Sequence, residues 1–382
     1  MNQNSKRIYY LDRIKILLCL LVIGLHTSIA YGGAGSWYYN EDVNSPIMSI
    51  LFTIYDAVCQ SFFMGLFFFI SAYFTVPSYN KKGCRNFLKD RFIRLFIPLC
   101  IFYFILNPTT VYFLEKIAHR KQISYFQYMY DSIINLDNLG FGPLWFVEAL
   151  IIFSIGYVLY RKIVRRKITG SESLKKIDFP GKKCVYAFMI ILGIVSFAVR
   201  LVFKTGVEVM GMQLGYFPQY IALFALGTIA YENNWLHKIT DKISSYYFKV
   251  SIIGFGLLIL VLAIFMISGN SSLDKFAGGI SLQAIIYALW EPFMCVGISV
   301  KLITVFRKKY DVTSDLWTGL SLDTYPVYVI HAPVNVFLEC MLITAPLNPV
   351  IKFIIVYCGT CVICFALSHF ILRRVPILRK IS

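Results

Sequence analysis

Residues 9–31 read YYLDRIKILLCLLVIGLHTSIAY, and from position 14 onward this stretch is almost continuously apolar. A helix needs about 20 mostly apolar residues to cross the hydrocarbon core of a bilayer. Three charged residues, Asp12, Arg13 and Lys15, interrupt the start of the stretch, which is unlike a cleaved secretory signal. We therefore predict an uncleaved first transmembrane helix over residues 14–31.

Nine further apolar stretches follow along the chain. Their lengths and regular recurrence indicate repeated membrane crossings rather than separate globular domains. The sequence predicts an all-α polytopic membrane protein with about ten transmembrane helices, and we expect residues 1–382 to form a single transmembrane domain. The predicted spans are 14–31, 47–76, 92–114, 143–160, 184–203, 216–231, 248–268, 280–300, 322–344 and 349–372.

The composition agrees with this fold class and excludes a soluble enzyme. Hydrophobic residues make up 58% of the chain and charged residues 15%, whereas about 25% of an average soluble domain is charged. With ten crossings both termini share a side, and the loops on that side carry all but seven of the 37 Lys and Arg residues. The positive-inside rule makes this side cytoplasmic. We predict a multi-pass protein of the cell (inner) membrane with both termini cytoplasmic. The lipid bilayer is therefore an expected partner. We expect no nucleic-acid partner, because the topology explains most of the basic excess and the chain has no long solvated arm.

Ionisable side chains inside the predicted spans are the candidate functional residues. A charge at membrane depth is costly unless it faces a polar interior, so such residues are rare in purely structural bundles. The predicted topology places acids and bases toward the outer side and cations toward the cytoplasm. The outer residues are His26, Asp56 and Glu148, the cytoplasmic cations are Lys15, Arg91 and Arg94, and the others are Arg200, Glu291, Asp323, His331, Glu339 and His369.

Lys15 and His26 are eleven residues apart, close to three helical turns, so both project from one face of the first helix about 16 Å apart along its axis. Such spacing would let a cytoplasmic cation hold an anionic head group while an extended arm carries a reactive group to the histidine. The pantetheine arm of coenzyme A has this character. The alternative is that Lys15 extends to the interface and His26 satisfies a hydrogen bond between helices.

Four stretches resemble the membrane-bound acyltransferase 3 family over essentially the whole chain. The first stretch, YYLDRIKILLCLLVIGLH at 9–26, contains the family's pattern of Arg or Lys, ten residues and His, here as Lys15 and His26. The resemblance is strongest to the glucan biosynthesis protein C branch, through FFMGLFFFISAYFT and FPQYIALFALGTIAYENNW. The other matching stretches are RFIRLFIP at 91–98, PLWFVEALIIFSIGYVLY at 143–160 and YPVYVIHAPV at 325–334.

The resemblance implies transfer of an acyl group, acetyl or succinyl, from acyl-CoA at the cytoplasmic side to a hydroxyl of an extracytoplasmic glycan. A sugar hydroxyl is a poor nucleophile, so the reaction needs a base within hydrogen-bond reach of its proton. His26 is the expected catalytic base, with Glu148 orienting it or binding the acceptor. A covalent acyl-histidine is equally compatible with these residues.

The resemblance also implies binding residues for both substrates. Lys15, Arg91 and Arg94 are expected to bind the phosphates of acyl-CoA, since guanidinium groups match phosphate oxygens. The alternative for the arginines is anchoring by the positive-inside rule. Trp145 and His331 have structural alternatives too, as an interfacial aromatic residue and as a hydrogen-bonding partner between helices. The expected substrate-binding residues are Asp56, Trp145, Tyr328 and His331.

Two other classes of function remain compatible with the residues. Histidines and carboxylates inside a membrane also form the relays of proton-coupled secondary transporters, and a sensory or scaffold protein would leave His26 dispensable. The sequence has no HExxH, GxSxG or GxxxxGK motif, so zinc hydrolysis, serine hydrolysis and P-loop chemistry have no motif support. We expect no metal and no permanently bound cofactor, with acyl-CoA entering as a donor substrate.

Overall fold

The structure is a computed structural model that describes residues 7–135, 139–167, 176–269 and 272–374. Within these residues the chain is predominantly helical and has no β-strand, only an isolated antiparallel bridge between Val209 and Met212. The predicted all-α fold class is therefore confirmed. Parts of the predicted basic loop 161–183 and of the basic tail 373–380 lie outside the described residues.

The described chain contains fourteen α-helices. They are α1 Tyr9–Ala30, α2 Pro46–Arg91, α3 Ile97–Ile101, α4 Asn107–Ile117, α5 Tyr125–Ile134, α6 Trp145–Lys167, α7 Lys182–Arg200, α8 Phe217–Glu232, α9 Trp235–Lys238, α10 Asp241–Ile267, α11 Asp274–Ala277, α12 Leu282–Lys309, α13 Asp315–Met341 and α14 Pro349–Phe370.

Eight helical segments of the described chain are long and apolar enough to cross a membrane. One of them, Pro46–Ile117, has 72 residues, or about 108 Å of helix, and contains both predicted spans 47–76 and 92–114. The predicted span 216–231 corresponds to α8, whose 16 residues are fewer than the usual crossing of about 20. A multi-pass membrane protein is confirmed, and the side on which the termini lie stays a prediction.

The long segment from α2 to α4 is interrupted at residues that cannot continue a regular helix. Gly83 has φ 71°, in the left-handed region that glycine adopts without steric cost. Two π-helical turns, Phe92–Phe96 and Phe102–Leu106, each end two residues before a proline, Pro98 and Pro108. Proline has no N–H, so each removes one bond from the helical ladder and frees a carbonyl one turn earlier.

Contacts group the chain into two compact units, and each unit is built from three segments. Because these segments interleave along the chain, the prediction of a single domain over residues 1–382 stays a prediction. The first unit contains Met1–Ile14, Gln60–Lys82 and Ile163–Val312, and the second contains Lys15–Cys59, Gly83–Lys162 and Thr313–Ser382.

In the first unit, α12 packs against both α7 and α10. The contact with α10 is close: a Cβ at Gly297 would lie 2.5 Å from the Tyr247 carbonyl oxygen and 2.6 Å from Ser251. Small residues of this kind let helices approach one another in a membrane. A buried ion pair also joins Arg200, at the end of α7, to Glu291 of α12, with Nη1 and Oε2 2.5 Å apart.

In the second unit, α13 packs against α14 and α4. Five of its buried polar residues stand three to five positions apart, so they follow one side of the helix. This side of α13 organises the candidate site. The residues are Asp323, Tyr328, His331, Asn335 and Glu339.

Cysteine labelling is expected to place the start of α7 on the cytoplasmic side. Cys184 is exposed at that helix start. In a variant that keeps Cys184 alone, a membrane-impermeant maleimide should react only after the cells are permeabilised. Ser36→Cys in a cysteine-free background is the control for the outer side, because Ser36 is exposed and should be labelled in intact cells. Labelling of Cys184 in intact cells would contradict the predicted topology.

Candidate active site

Three aromatic rings of the second unit have nearly parallel planes and lie in contact. The centroid of the His26 ring in α1 is 4.0 Å from that of Trp37, at an interplanar angle of 17°. The centroid of His331 in α13 lies 5.5 Å from that of His26, at 21°. The structure therefore brings together two of the predicted site residues and adds an indole ring from the loop that follows α1.

Each of the two histidines has a buried ring nitrogen without a hydrogen-bond partner among the described residues: Nδ1 of His26 and Nε2 of His331. The other nitrogen of His331, Nδ1, lies 2.6 Å from the carbonyl oxygen of Tyr328. Buried polar atoms are nearly always hydrogen-bonded in folded proteins. Two unpartnered nitrogens on adjacent rings therefore mark a place suited to a ligand with hydrogen-bonding groups.

A buried polar network holds Trp37 against His26. The indole Nε1 donates to both carboxylate oxygens of Glu339 at 3.1 Å, and the Asn335 amide donates to the same carboxylate at 2.7 Å. The Thr27 hydroxyl of α1 donates to the Asn335 amide oxygen at 3.1 Å. The indole is therefore fixed by α13 through hydrogen bonds as well as by the stacked ring.

The predicted outer loop 32–45, which carries Trp37, is tied down at a second point. Lys352 of α14 donates to the Glu41 carboxylate at 2.9 and 3.0 Å, and its side chain is buried. The Tyr39 hydroxyl donates to Glu41 at 3.3 Å. Burial, followed by the nearby Glu41 charge, raises the pKa of Tyr39, so this hydroxyl keeps its proton and remains a donor. The loop is therefore anchored at the indole itself and again four residues later, at Glu41.

Tyr328 connects α13 to the first turn of α6. Its hydroxyl donates to the carbonyl of Pro143, and its ring meets Phe146 edge-to-face with centroids 5.9 Å apart. The Trp145 ring packs edge-on against Phe146 at 6.4 Å. Glu148, in the same first turn of α6, has a buried Oε2 without a partner among the described residues. The predicted residues of α6 and α13 are thus neighbours around Tyr328.

The two predicted carboxylates are not hydrogen-bonded to His26 in the described part of the chain. Asp56 accepts a hydrogen bond from the Ser28 hydroxyl, and its Oδ2 is buried without a partner there. Ser28 follows His26 by two residues, which points the two side chains to nearly opposite faces of α1. Asp56 therefore lies beside α1 on another face, and the orienting role of Glu148 stays a prediction.

The arginine pair lies near the other end of the buried side of α13. The Tyr325 hydroxyl donates to the Arg94 carbonyl at 2.8 Å. That carbonyl is available because Pro98, four residues later, has no N–H to offer it. Tyr325 precedes His331 by six residues on α13, which is about 9 Å along the helix axis. One helix therefore spans the distance between the arginine pair and the imidazoles.

The contacts between α1 and α13 place Lys15 on the same side as this arginine end. Cys19 contacts the carbonyl of Thr324 through its thiol at 3.7 Å, and Thr27 contacts Asn335 at 3.1 Å. Both helices therefore advance in the same direction, with their N-terminal ends together. Lys15 lies at that end of α1, one turn before Cys19.

The side chains of the cations differ in their surroundings. Arg94 is half-exposed and lies 3.6 Å from the Asp90 carboxylate. The Arg91 guanidinium lies over the ring of Phe87 at 5.2 Å, a favourable cation–π arrangement. Lys15 is half-buried. The partial exposure of Arg94 leaves its guanidinium open to an anionic ligand.

Trp37 and Asn335 were not among the site residues predicted from the sequence, and Glu339 was predicted only as an ionisable residue inside a span. Their signal was present in part, because His331, Asn335 and Glu339 recur at intervals of four on one face of α13. Trp37 had no comparable signal, since it stands in a polar loop.

The arrangement offers proton transfer by imidazole and the binding of an anionic group by arginine. No group of three or more His, Cys, Asp or Glu side chains that could hold a metal ion occurs in the described ranges.

Comparisons with known proteins agree with the resemblance in the sequence. Glucans biosynthesis protein C from Escherichia coli strain K12, from strain K12 / DH10B and from strain O1:K1 / APEC is 27% identical over 172 residues in each case. The match covers 45% of this chain and 43% of each relative, so the chain spans less than half the length of these relatives. No solved structure gives a significant match. The acyltransferase 3 family, described as an acyltransferase domain, matches residues 8–369, and the chain therefore belongs to that family.

Proposed function

We propose that this protein is a membrane O-acyltransferase of the cell (inner) membrane. It would take an acyl group from acyl-CoA at the cytoplasmic side and transfer it to a hydroxyl of a glycan at the outer side. The donor would be acetyl-CoA or succinyl-CoA. Membership of an acyltransferase family supports the reaction class, and the name of the relatives, which refers to glucan biosynthesis, supports a glycan acceptor.

The observation that carries the proposal is the stacked pair His26 and His331 with two buried, unpartnered ring nitrogens. Imidazole is the side chain most often used for proton transfer near neutral pH. Each unpartnered buried nitrogen destabilises the fold by about 1–3 kcal/mol. A helical bundle with a purely structural role would gain nothing from two such histidines in contact.

The reaction requires a proton to leave the acceptor hydroxyl as its oxygen attacks the thioester carbonyl carbon. The carbon–sulfur bond then breaks, and the coenzyme A thiolate takes up a proton. An imidazole in hydrogen-bond reach can perform both proton transfers. Exclusion of water from a buried site strengthens the electrostatic interactions that stabilise the tetrahedral intermediate.

The donor side of the proposal rests on the arginine end of α13. Arg94 is half-exposed beside Arg91, and guanidinium groups bind phosphate oxygens through paired hydrogen bonds. Lys15 lies at the same end of the second unit and adds charge attraction without the bidentate geometry of arginine. About 9 Å of helix separates Tyr325, which contacts the Arg94 backbone, from His331, and about 16 Å separates Lys15 from His26. An extended pantetheine arm would cover distances of this size.

The test uses purified full-length protein in detergent with radiolabelled acetyl-CoA or succinyl-CoA and a glucan oligosaccharide as the acceptor. Wild type should transfer label to the oligosaccharide. His26→Ala should reduce the rate by about 10²- to 10³-fold, a loss that follows whether the imidazole transfers a proton or donates a hydrogen bond to the reacting carbonyl. Arg94→Ala should raise the KM for acyl-CoA by about tenfold or more, since a hydrogen bond to a charged group contributes about 1.5–3 kcal/mol.

Lys242→Ala removes an exposed cation of α10 and should leave both constants unchanged. Transfer of no label by wild type, or variants of His26 and Arg94 that behave like wild type, would contradict the proposal. Proton-coupled uptake of a solute into liposomes would instead support a secondary transporter.

A further inference from the structure

The tautomer of His331 is determined by its neighbour. Nδ1 lies 2.6 Å from the carbonyl oxygen of Tyr328, and a carbonyl oxygen can only accept a hydrogen bond. Nδ1 must therefore carry the proton and donate it. In the neutral imidazole the second nitrogen, Nε2, then has a lone pair and no proton.

The lone pair of Nε2 is buried and accepts no hydrogen bond from the described residues. His331 has no exposed surface, and Nε2 makes no hydrogen bond among the described residues. The arrangement matches that of a general base, in which one ring nitrogen is held by an acceptor so that the other presents its lone pair to the substrate.

His26 differs in the way its ring is held. Stacking against Trp37 and His331 sets the plane of the ring, but no hydrogen bond fixes the tautomer, because Nδ1 is unpartnered in the described part of the chain. This imidazole is therefore able to hold its proton on the nitrogen nearest the substrate. A neutral N–H in a water-poor site is a good donor to an oxygen on which negative charge develops.

We propose that the two histidines divide the reaction: His331 Nε2 is the base that accepts the acceptor's hydroxyl proton, and His26 donates an N–H to the thioester carbonyl oxygen. The inference rests on the proposed acyl transfer. It differs from the sequence prediction, which made His26 the base and His331 a substrate-binding residue.

The acceptor oxygen forms a bond to the carbonyl carbon while its proton moves to His331 Nε2, and the π electrons of the carbonyl move to the oxygen that His26 holds. The tetrahedral intermediate collapses, the carbonyl re-forms and the carbon–sulfur bond breaks. The thiolate takes the proton from His331, which returns to its starting state.

The test compares two acceptors that differ in their need for a base. A glucan oligosaccharide must lose a proton to react, whereas hydroxylamine attacks thioesters without assistance and yields a hydroxamate. His331→Asn is the informative variant, because the Asn amide N–H can replace Nδ1–H as the donor to Tyr328 while providing no basic nitrogen. His26→Leu is the matched variant, because leucine has no N–H to donate, and His237→Asn, at an exposed histidine of α9, is the control.

His331→Asn is expected to reduce transfer to the oligosaccharide by about 10²- to 10⁴-fold but hydroxamate formation by less than about tenfold. His26→Leu should reduce both reactions alike, by about 10²- to 10³-fold, as for the loss of one oxyanion donor. His237→Asn should behave like wild type. All rates are taken after subtraction of the enzyme-free reaction, and gel filtration in detergent checks that each variant is folded.

The inference is overturned if hydroxylamine restores activity to His26→Leu instead, or if His331→Asn loses both reactions equally. If His331→Asn does not fold, His331→Gln, which also lacks a basic nitrogen, takes its place with the same expected pattern. Failure of the wild type to transfer label to any oligosaccharide is a different result, because it would remove the proposed function itself.

Discussion

Replacement of Glu291 by leucine is expected to lower the free energy of unfolding by about 3–5 kcal/mol, because it leaves the Arg200 guanidinium buried without its counter-charge. The exposed fraction is 1% for Arg200 and 2% for Glu291. Arginine keeps its proton in proteins, so the remaining charge cannot be removed by titration. Unfolding in detergent micelles, followed by circular dichroism at increasing denaturant or temperature, measures the change.

The reciprocal variant, Arg200→Met, should be less damaging than Glu291→Leu. A buried carboxylate can take up a proton and become neutral, although the variant also loses the Nε–H donated to Gly215 at 3.0 Å and the guanidinium contacts with the rings of Tyr216 and Tyr287. The double variant should be more stable than Glu291→Leu alone, since an apolar pair often replaces a buried ion pair at little cost. Strictly additive losses would contradict the coupling.

Hydropathy predicted the membrane spans because a bilayer imposes both a length and an apolar composition on each crossing. The predicted spans 14–31 and 349–372 overlap most of α1, Tyr9–Ala30, and α14, Pro349–Phe370. Helix ends were harder to predict, because polar residues continue a helix beyond the apolar core. In α12, Leu282–Lys309, the helix runs well past position 300 through basic residues.

The candidate site was predictable only where its residues share a helix. Tyr328 and His331 are three residues apart on α13, a spacing that places side chains on one helical face, and their ring centroids lie 5.6 Å apart. The stacking of Trp37 on His26 depends on the path of a loop and on the rotation of α1 toward α13, which periodicity does not determine. The tautomer of His331 depends on a hydrogen bond to a backbone carbonyl. Every residue has such a carbonyl, so the sequence does not indicate which one lies beside the ring.

Replacement of Trp37 by alanine is expected to lower kcat for acyl transfer by about 100-fold, because a displacement of about 1 Å at a reacting group can cost that much. Without the indole, the His26 ring loses its 4.0 Å stacking partner and Glu339 loses a hydrogen-bond donor. The KM for acyl-CoA should change little, since Arg94 and Lys15 lie toward the other end of the helices that carry the imidazoles. The two constants are measured with the radiolabelled donor and the oligosaccharide acceptor.

A positioning role for Trp37 predicts a graded response. Trp37→Phe keeps a ring to stack on His26 and loses only the hydrogen bond to Glu339, so it should retain most of the kcat that Trp37→Ala loses. Tyr39→Phe, in the same loop, removes a hydrogen bond to Glu41 that Lys352 also satisfies, and should leave kcat unchanged. If Trp37→Phe were as impaired as Trp37→Ala, the hydrogen bond rather than the stacked ring would orient the site. If KM rose while kcat stayed constant, Trp37 would bind substrate instead of positioning the imidazole, because only a change confined to kcat reports the geometry of the reacting groups.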